Sequence, residues 1–243
     1  MYLNGITIEK DRFPTRDVFP FNVPAFQSTN NLRFNSKIIL FCGENGVGKS
    51  ALLDAIARKC GLMPWGGSKT HKVHCNPHET QLARFIKLDF LARPKYGFHF
   101  RAEAFFNFAS SLDDILVDDP GRRKYFGGGS LNAQSHGESF LTLFQSYSFQ
   151  IDGLYVIDEP EAALSPANQV EFVRVLLNNV RSSNKQYLIA SLSPIILGCP
   201  GAQIFGFQKT GIAPINFLDT KIFKLYESFI KDPSGFYQLE DRI

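Results

Sequence analysis

The stretch Gly43-Glu44-Asn45-Gly46-Val47-Gly48-Lys49-Ser50 constrains this chain more than any other. It satisfies G-x-x-x-x-G-K-[ST] at every fixed position. The apolar run 37–42 precedes it. A stretch with Leu52, Leu53, Ile56 and Ala57 at helical spacing follows. A strand, a glycine loop and a helix in that order form an anion cradle. The glycines let successive backbone N–H groups curl around phosphate oxygens, and the helix N-terminus adds partial positive charge. In such a loop Lys49 reaches the β- and γ-phosphates of a nucleotide and the Ser50 hydroxyl binds Mg²⁺. The candidate nucleotide-binding residues are Gly43, Glu44, Asn45, Gly46, Val47, Gly48, Lys49, Ser50 and Ala51.

The run Leu154-Tyr155-Val156-Ile157-Asp158-Glu159 supplies the complement. Four apolar residues of a buried strand end in two acids. Asp158 is expected to hold the metal, through water, since Mg²⁺ keeps much of its hydration. Glu159 is the candidate catalytic residue that polarises the attacking water, alongside Lys49. The plain alternative is a strand running out into a polar loop. The phosphate loop about 110 residues upstream favours the functional reading.

Around these motifs, strands are expected at 2–9, 31–35, 37–42, 84–90, 97–101, 154–157, 187–190, 204–207 and 212–217. The last two suggest a hairpin. Helices are expected at 50–59, 102–116, 137–146, 166–181 and 220–231, with Pro166 in a first turn. The segment 11–24 holds Pro14, Pro20 and Pro24 and reads as loop or edge strand. Strands alternating with helices imply an α/β fold with a mostly parallel central sheet. With 243 residues, 44% of them hydrophobic, and no repeat or long linker, a single domain over 1–243 is expected. Its core would span about 1–60 and 150–243, with an inserted region and helical lobe at about 61–149.

A net charge of +3 is too mild to argue for nucleic acid by itself. Cys42, Cys60, Cys75 and Cys199 are scattered and read as reduced thiols, not a disulfide framework. No secretory signal opens the chain, and the uncharged stretch 187–207 is broken by Pro194, Gly198, Pro200 and Gly201. A cytoplasmic protein that does not cross a membrane is expected. No N-K-x-D base-reading motif is present, which argues against a guanine-nucleotide switch.

A third motif narrows the field. Ser135-His136-Gly137-Glu138-Ser139 opens a helix upstream of the acidic strand and resembles the signature of ABC-type ATPases, usually LSGGQ. The run Asp158-Glu159-Pro160-Glu161-Ala162-Ala163-Leu164-Ser165-Pro166 is similar to that superfamily's Walker B motif and D-loop. Together they resemble small stand-alone ABC-type P-loop ATPases, related to SMC and RecF-type heads and often found in prokaryotic defence or genome-maintenance loci. The resemblance implies an N-terminal antiparallel β subdomain and a helical subdomain bearing the signature. It also implies ATP and Mg²⁺ as cofactors and a head-to-tail homodimer around two ATP molecules. Ser135, His136, Gly137 and Glu138 would then meet the γ-phosphate in trans. A protein effector, such as a nuclease or another toxin-like protein, would be the partner of a nucleotide-gated regulator, with antiviral defence as one setting.

Two departures from the family pattern bear on turnover. No glutamine follows the strand 97–101, so Glu103 is the substitute ligand for Mg²⁺ or water, with Arg101 an alternative phosphate contact. In Ala190-Ser191-Leu192-Ser193-Pro194, Leu192 stands where the family's switch histidine belongs. Leucine cannot hydrogen-bond a phosphate or position water, so hydrolysis is expected to be slow. The alternative is that Leu192 merely packs. A non-hydrolysing ATP clamp is the rival reading, and an ATP-binding subunit of a transporter the next.

Weaker signals remain. His71, His74, Cys75 and His78 invite zinc, but a solvated loop is preferred, because a closed site usually takes two separated ligand pairs. Arg122-Arg123-Lys124 reads as a solvated basic loop, with contact to nucleic acid as the alternative. Phe13 and Phe19 are both candidates to stack on adenine.

Overall fold

The computed structural model describes residues 1–62, 80–102 and 136–237. Its strands are β1 (Leu3–Ile8), β2 (Asn31–Arg33), β3 (Ile38–Cys42), β4 (Ile86–Phe90), β5 (Gly97–Arg101), β6 (Leu154–Asp158), β7 (Gln186–Ala190), β8 (Gln203–Gln208) and β9 (Gly211–Pro214). Its helices are α1 (Pro24–Ser28), α2 (Lys49–Lys59), α3 (His136–Gln145), α4 (Tyr147–Gln150), α5 (Pro166–Ser182), α6 (Pro194–Leu197), α7 (Lys221–Lys231) and α8 (Pro233–Phe236).

The strands build two sheets, among the described residues. One is antiparallel, ordered β2-β1-β4. The other is ordered β5-β6-β7-β3-β8-β9 and is parallel except for the β8–β9 hairpin. This is the expected α/β fold. The central strands read IILFC, LYVID and QYLIA and are buried throughout, as a sheet covered on both faces requires. Alternation splits them between two cores. Leu40, Tyr155 and Ile157 face Phe140, Phe144, Phe172 and Leu176 of α3 and α5. Phe41, Leu154 and Val156 face Leu52, Leu53 and Ile56 of α2 together with Leu3, Ile6 and Ile86 of the antiparallel sheet. Phe100, Phe140, Phe144 and Phe172 meet edge to face or stacked, with centroids 4.6–5.7 Å apart. Each fully buried ring contributes about 1.5–3 kcal/mol of burial. Gln186 joins the two sheets: its amide oxygen accepts from the N–H groups of Tyr2 and Leu3, and its amide nitrogen donates to the Leu3 carbonyl.

Local chemistry moves several boundaries. Arg84 and Phe85, read as strand, lie in a 3-10 turn, Gln81–Phe85, that leads into β4. Pro24, read as loop, starts α1, because a proline at the first helical position gives up no needed N–H. The second hairpin strand is shorter than expected and ends at Pro214, although the Ile215 N–H still donates to the Ile204 carbonyl at 3.0 Å, and Phe217 sits in a 3-10 turn instead. The Ser165 hydroxyl caps α5 by accepting from the Asn168 N–H, and Thr220 caps α7 by accepting from that of Phe223. Residues 86–101, within the stretch assigned to the inserted lobe, form β4 and β5, one in each sheet. The helix expected at 102–116 lies, from 103 on, outside the described residues. No helix among the described residues is long and apolar enough to cross a membrane.

Candidate functional site

The parallel strands deliver Cys42, Arg101, Asp158 and Ala190 to one end of the sheet, where open α/β sheets bind ligands. Cys42 leads into the phosphate loop. Gly43, Gly46 and Gly48 all have positive φ, of 149°, 77° and 99°. At Gly48 the backbone passes close to Phe26, so that an added Cβ would lie 2.8 Å from the ring. Only glycine serves there.

Lys49 begins α2 and is 4% exposed. Its Nζ donates to the carbonyls of Gly43 and Glu44, at 2.7 and 2.8 Å. Burial lowers its pKa, while Glu159, Asp158 and Glu161 pull the other way. Ser50 follows, and its Oγ donates to Asp158 Oδ1 at 3.2 Å. Asp158 closes β6 rather than following it, and is buried. Its other oxygen, Oδ2, lies 3.7 Å from Nε of Arg101, the residue paired with it across the β5–β6 register. Ser50, Arg101, Ala102, Asp158, Glu159 and Ala162 line one cleft of about 200 Å³. The two motifs read from sequence thus share a wall. Ser50 and Asp158 offer the hard oxygen donors that Mg²⁺ takes, side by side and facing this cleft, so the residues fit the ion.

Glu159 has φ 50° and ψ 53°, the left-handed region, and is the one described non-glycine residue with positive φ. That conformation costs a non-glycine residue about 1–2 kcal/mol. It is held by its own N–H, which donates to the Ala190 carbonyl at 3.0 Å, and by the 3-10 turn Pro160–Ala163 that follows.

That turn brings in groups to which sequence reasoning gave no role. Glu161 is partly buried. It accepts from the Ser191 hydroxyl at 2.9 Å and from the Leu192 N–H. Burial raises its pKa, and these hydrogen bonds oppose the rise. The Ser191 Oγ also accepts from the Ser193 N–H at 3.0 Å. The Ser193 hydroxyl donates to the Gln169 side-chain oxygen, and Gln169 donates to the Leu164 carbonyl at 2.9 Å. A chain of polar contacts therefore ties the turn after Glu159 to the end of β7 and to α5. The signal was Glu161 itself, a second acid two residues after Glu159.

The other sequence candidates fall as follows. Glu44 is exposed and pairs with Lys221 of α7 at 3.0 Å, which lowers its pKa. His136 and Gly137 open α3, as the motif implied, with Glu138 exposed and Ser139 buried. Ser135, Glu103, the 71–78 cluster and Arg122-Arg123-Lys124 lie outside the described residues. Leu192 is half-buried and is not among the cleft-lining residues; its main chain, not its side chain, is engaged by Glu161. The Phe13 ring packs on Phe21 and Phe85, with centroids 4.9 and 5.8 Å away. Phe19 packs against the same core. Among the described residues, no three His, Cys, Asp or Glu side chains group to hold a metal.

Comparison with known proteins agrees with the motifs over part of the chain. A family model described as an AAA domain matches residues 21–98, the segment that holds the phosphate loop. The resemblance to ABC- and AAA-like ATPases therefore has independent support there. Sequence comparison with curated proteins gives no match. Similar solved structures include the SMC head domain from Thermotoga maritima, at 15% identity and TM-score 0.49, covering 89% of this chain and 100% of that one. A metal-chelate type ABC transporter in an inward-facing conformation has 17% identity and TM-score 0.49, covering 92% and 88%. CbiO1 from Clostridium perfringens, part of the ABC transporter complex CbiONQ, has 14% identity and TM-score 0.46, covering 99% and 100%.

Proposed function

We propose that this chain binds ATP with Mg²⁺ and hydrolyses it slowly, acting as a nucleotide-gated switch. The observation that carries the proposal is the 3.2 Å contact between Ser50 and Asp158, which joins the phosphate loop to the acidic strand over one cleft with Glu159 in its wall. The loop N–H groups and Lys49 bind the phosphates. Ser50 and Asp158 would hold Mg²⁺, which when bound neutralises charge on the β- and γ-phosphates. Glu159 orients the attacking water and takes up its proton as the bond to the γ-phosphorus forms and ADP leaves.

Head-to-tail dimerisation around ATP is part of the proposal and is supported by the signature resemblance and by the helix N-terminus at His136–Gly137. Regulation of a protein effector, with antiviral defence as one setting, follows from that resemblance alone. A cytoplasmic site of action is supported by Cys42, Cys60 and Cys199, which are unpaired. The clamp reading, in which ATP is held but hardly turned over, is favoured by Leu192 in the place of a switch histidine.

The test is light-scattering mass with and without ATP and Mg²⁺, with phosphate release followed on the same sample. Wild type is expected to dimerise with ATP and release phosphate slowly. Lys49→Ala should do neither, Glu159→Gln should dimerise without turnover, and Leu192→His should speed turnover. A wild-type chain that binds no nucleotide would overturn the proposal. One that dimerises with turnover no greater than Glu159→Gln would establish the clamp.

A further inference from the structure

The 3-10 turn Pro160–Ala163 is pinned near its start and just past its end by side chains. Near the start, one Glu161 carboxylate oxygen accepts from the Leu192 N–H and the other from the Ser191 hydroxyl, the latter at 2.9 Å. Past the end, the Leu164 carbonyl accepts from the Gln169 side-chain amide at 2.9 Å. The two pins meet. Gln169 accepts from the Ser193 hydroxyl, the Ser193 N–H donates to Ser191 Oγ, and Ser191 returns to Glu161. This closed ring brackets a backbone that needs holding. Glu159 lies in the left-handed region, and its carbonyl accepts from the Ala162 N–H of the turn at 3.1 Å. Its own N–H is held by Ala190, the neighbour of Ser191.

We propose that Glu161 is a positioning residue for Glu159. It acts through the main chain, fixing the turn to the end of β7 so that the Glu159 carboxylate is presented to the cleft. This rests on the hydrolytic reading above. Glu159 and Glu161, two residues apart, are both acids with the chemistry of a base, and geometry separates them. Glu159 lines the cleft. Glu161 is not among its lining residues, and both of its oxygens accept from the strand end. Two charge-assisted bonds from one rigid strand end fix position and direction together, which makes Glu161 a clamp. The fixed point is the place where a switch histidine is missing: Leu192 offers no side-chain function there, but its N–H anchors the clamp. A non-glycine residue leaves the left-handed region readily once nothing holds it, and the carboxylate then moves with the backbone. Misplacement of a reacting group by about 1 Å costs about 100-fold in rate. The loss falls on turnover, because the phosphate loop supplies the affinity for nucleotide.

The experiment uses the full chain with ATP and Mg²⁺. Phosphate release gives kcat and KM, and calorimetry with a β,γ-imido analogue of ATP gives affinity and the number of sites. All are measured at a temperature where circular dichroism shows each variant folded. Glu161→Ala should lower kcat by about tenfold or more and leave KM and the analogue's Kd within about threefold. A purely structural role would instead lower kcat and the number of binding sites together. Glu161→Gln should recover most of the loss, since its oxygen accepts from Leu192 and its amide donates to Ser191 Oγ. In the Glu159→Gln background, Glu161→Ala should change the residual single-turnover rate by less than about twofold, because the group it positions is gone. A smaller fall in kcat, a matching loss of affinity, Glu161→Gln no better than Glu161→Ala, or a larger change in the Glu159→Gln background would each overturn the inference while leaving wild-type hydrolysis intact. Should Glu161→Ala not fold, Ser191→Ala decides: a fall in kcat of about threefold or more with affinity kept supports the clamp, and a smaller one overturns it. If wild type turns over no faster than Glu159→Gln, the hydrolytic reading itself fails and Glu161 has no base to position.

Discussion

Removing the Glu161 carboxylate should loosen the turn that holds Glu159. In Glu161→Ala, two donors lose their acceptor: the Ser191 hydroxyl, whose residue is fully buried, and the Leu192 N–H. Hydrogen bonds to a charged group are worth about 1.5–3 kcal/mol each. Two of them give a gross loss of about 3–6 kcal/mol, from which the relieved burial of the charge must be subtracted, leaving about 2–4 kcal/mol. For a chain of this size that lowers Tm by about 5–15 °C. Glu161→Gln still accepts from Leu192 and can donate to Ser191 Oγ, so it should lose about 1 kcal/mol or less. The pH dependence has a definite sign. The folded pKa of Glu161 is raised, so folding favours its protonated form. That contribution is complete below the unfolded value of about 4.3 and is lost as pH rises through the folded pKa. The stability of wild type relative to Glu161→Gln should therefore fall as pH climbs from about 4 and then level off. Urea unfolding across that range measures both effects. A loss under about 1 kcal/mol in Glu161→Ala, or a gap that moves toward wild type with rising pH, would refute the reasoning.

Two further outcomes are expected. His99 is buried, both of its ring nitrogens lack a partner, and burial first of all lowers its pKa to about 4. Its neutral form is the folded one, so stability is kept above about 6.5 and lost as pH falls toward 4. The loss is about 3 kcal/mol for a shift of this size, and His99→Phe should abolish that part of the acid sensitivity in a pH series of thermal melts. Gly48→Ala places a methyl against Phe26 at φ 99° and should destabilise the chain by about 1–3 kcal/mol in urea unfolding, with nucleotide binding reduced as well.

The legible parts of this chain were those in which residue identity itself carries the physics. Glycines at 43, 46 and 48 are needed for their backbone conformations. The apolar run into Asp158 could only be a buried strand with a polar end. Groups that act through the main chain or through register left no such mark. Leu192 was singled out for a missing side-chain function, yet its N–H is what Glu161 engages. The Glu161–Ser191 contact spans 30 residues and depends on a 3-10 turn folding back toward β7. The meeting of Arg101 and Asp158 depends on how β5 pairs with β6, and an apolar strand does not announce its register. The helix at Pro24 was hidden by a residue that equally suits a loop.

The backbone at Glu159 sets fold against chemistry at a single codon. Glycine there would relax the main chain and delete the carboxylate in the same step. Under the proposed function, a library of this protein screened only for heat resistance would thus be drawn toward variants that grip nucleotide and no longer release it. Thermostabilised versions should be sequenced at position 159 before their turnover is compared with that of the parent.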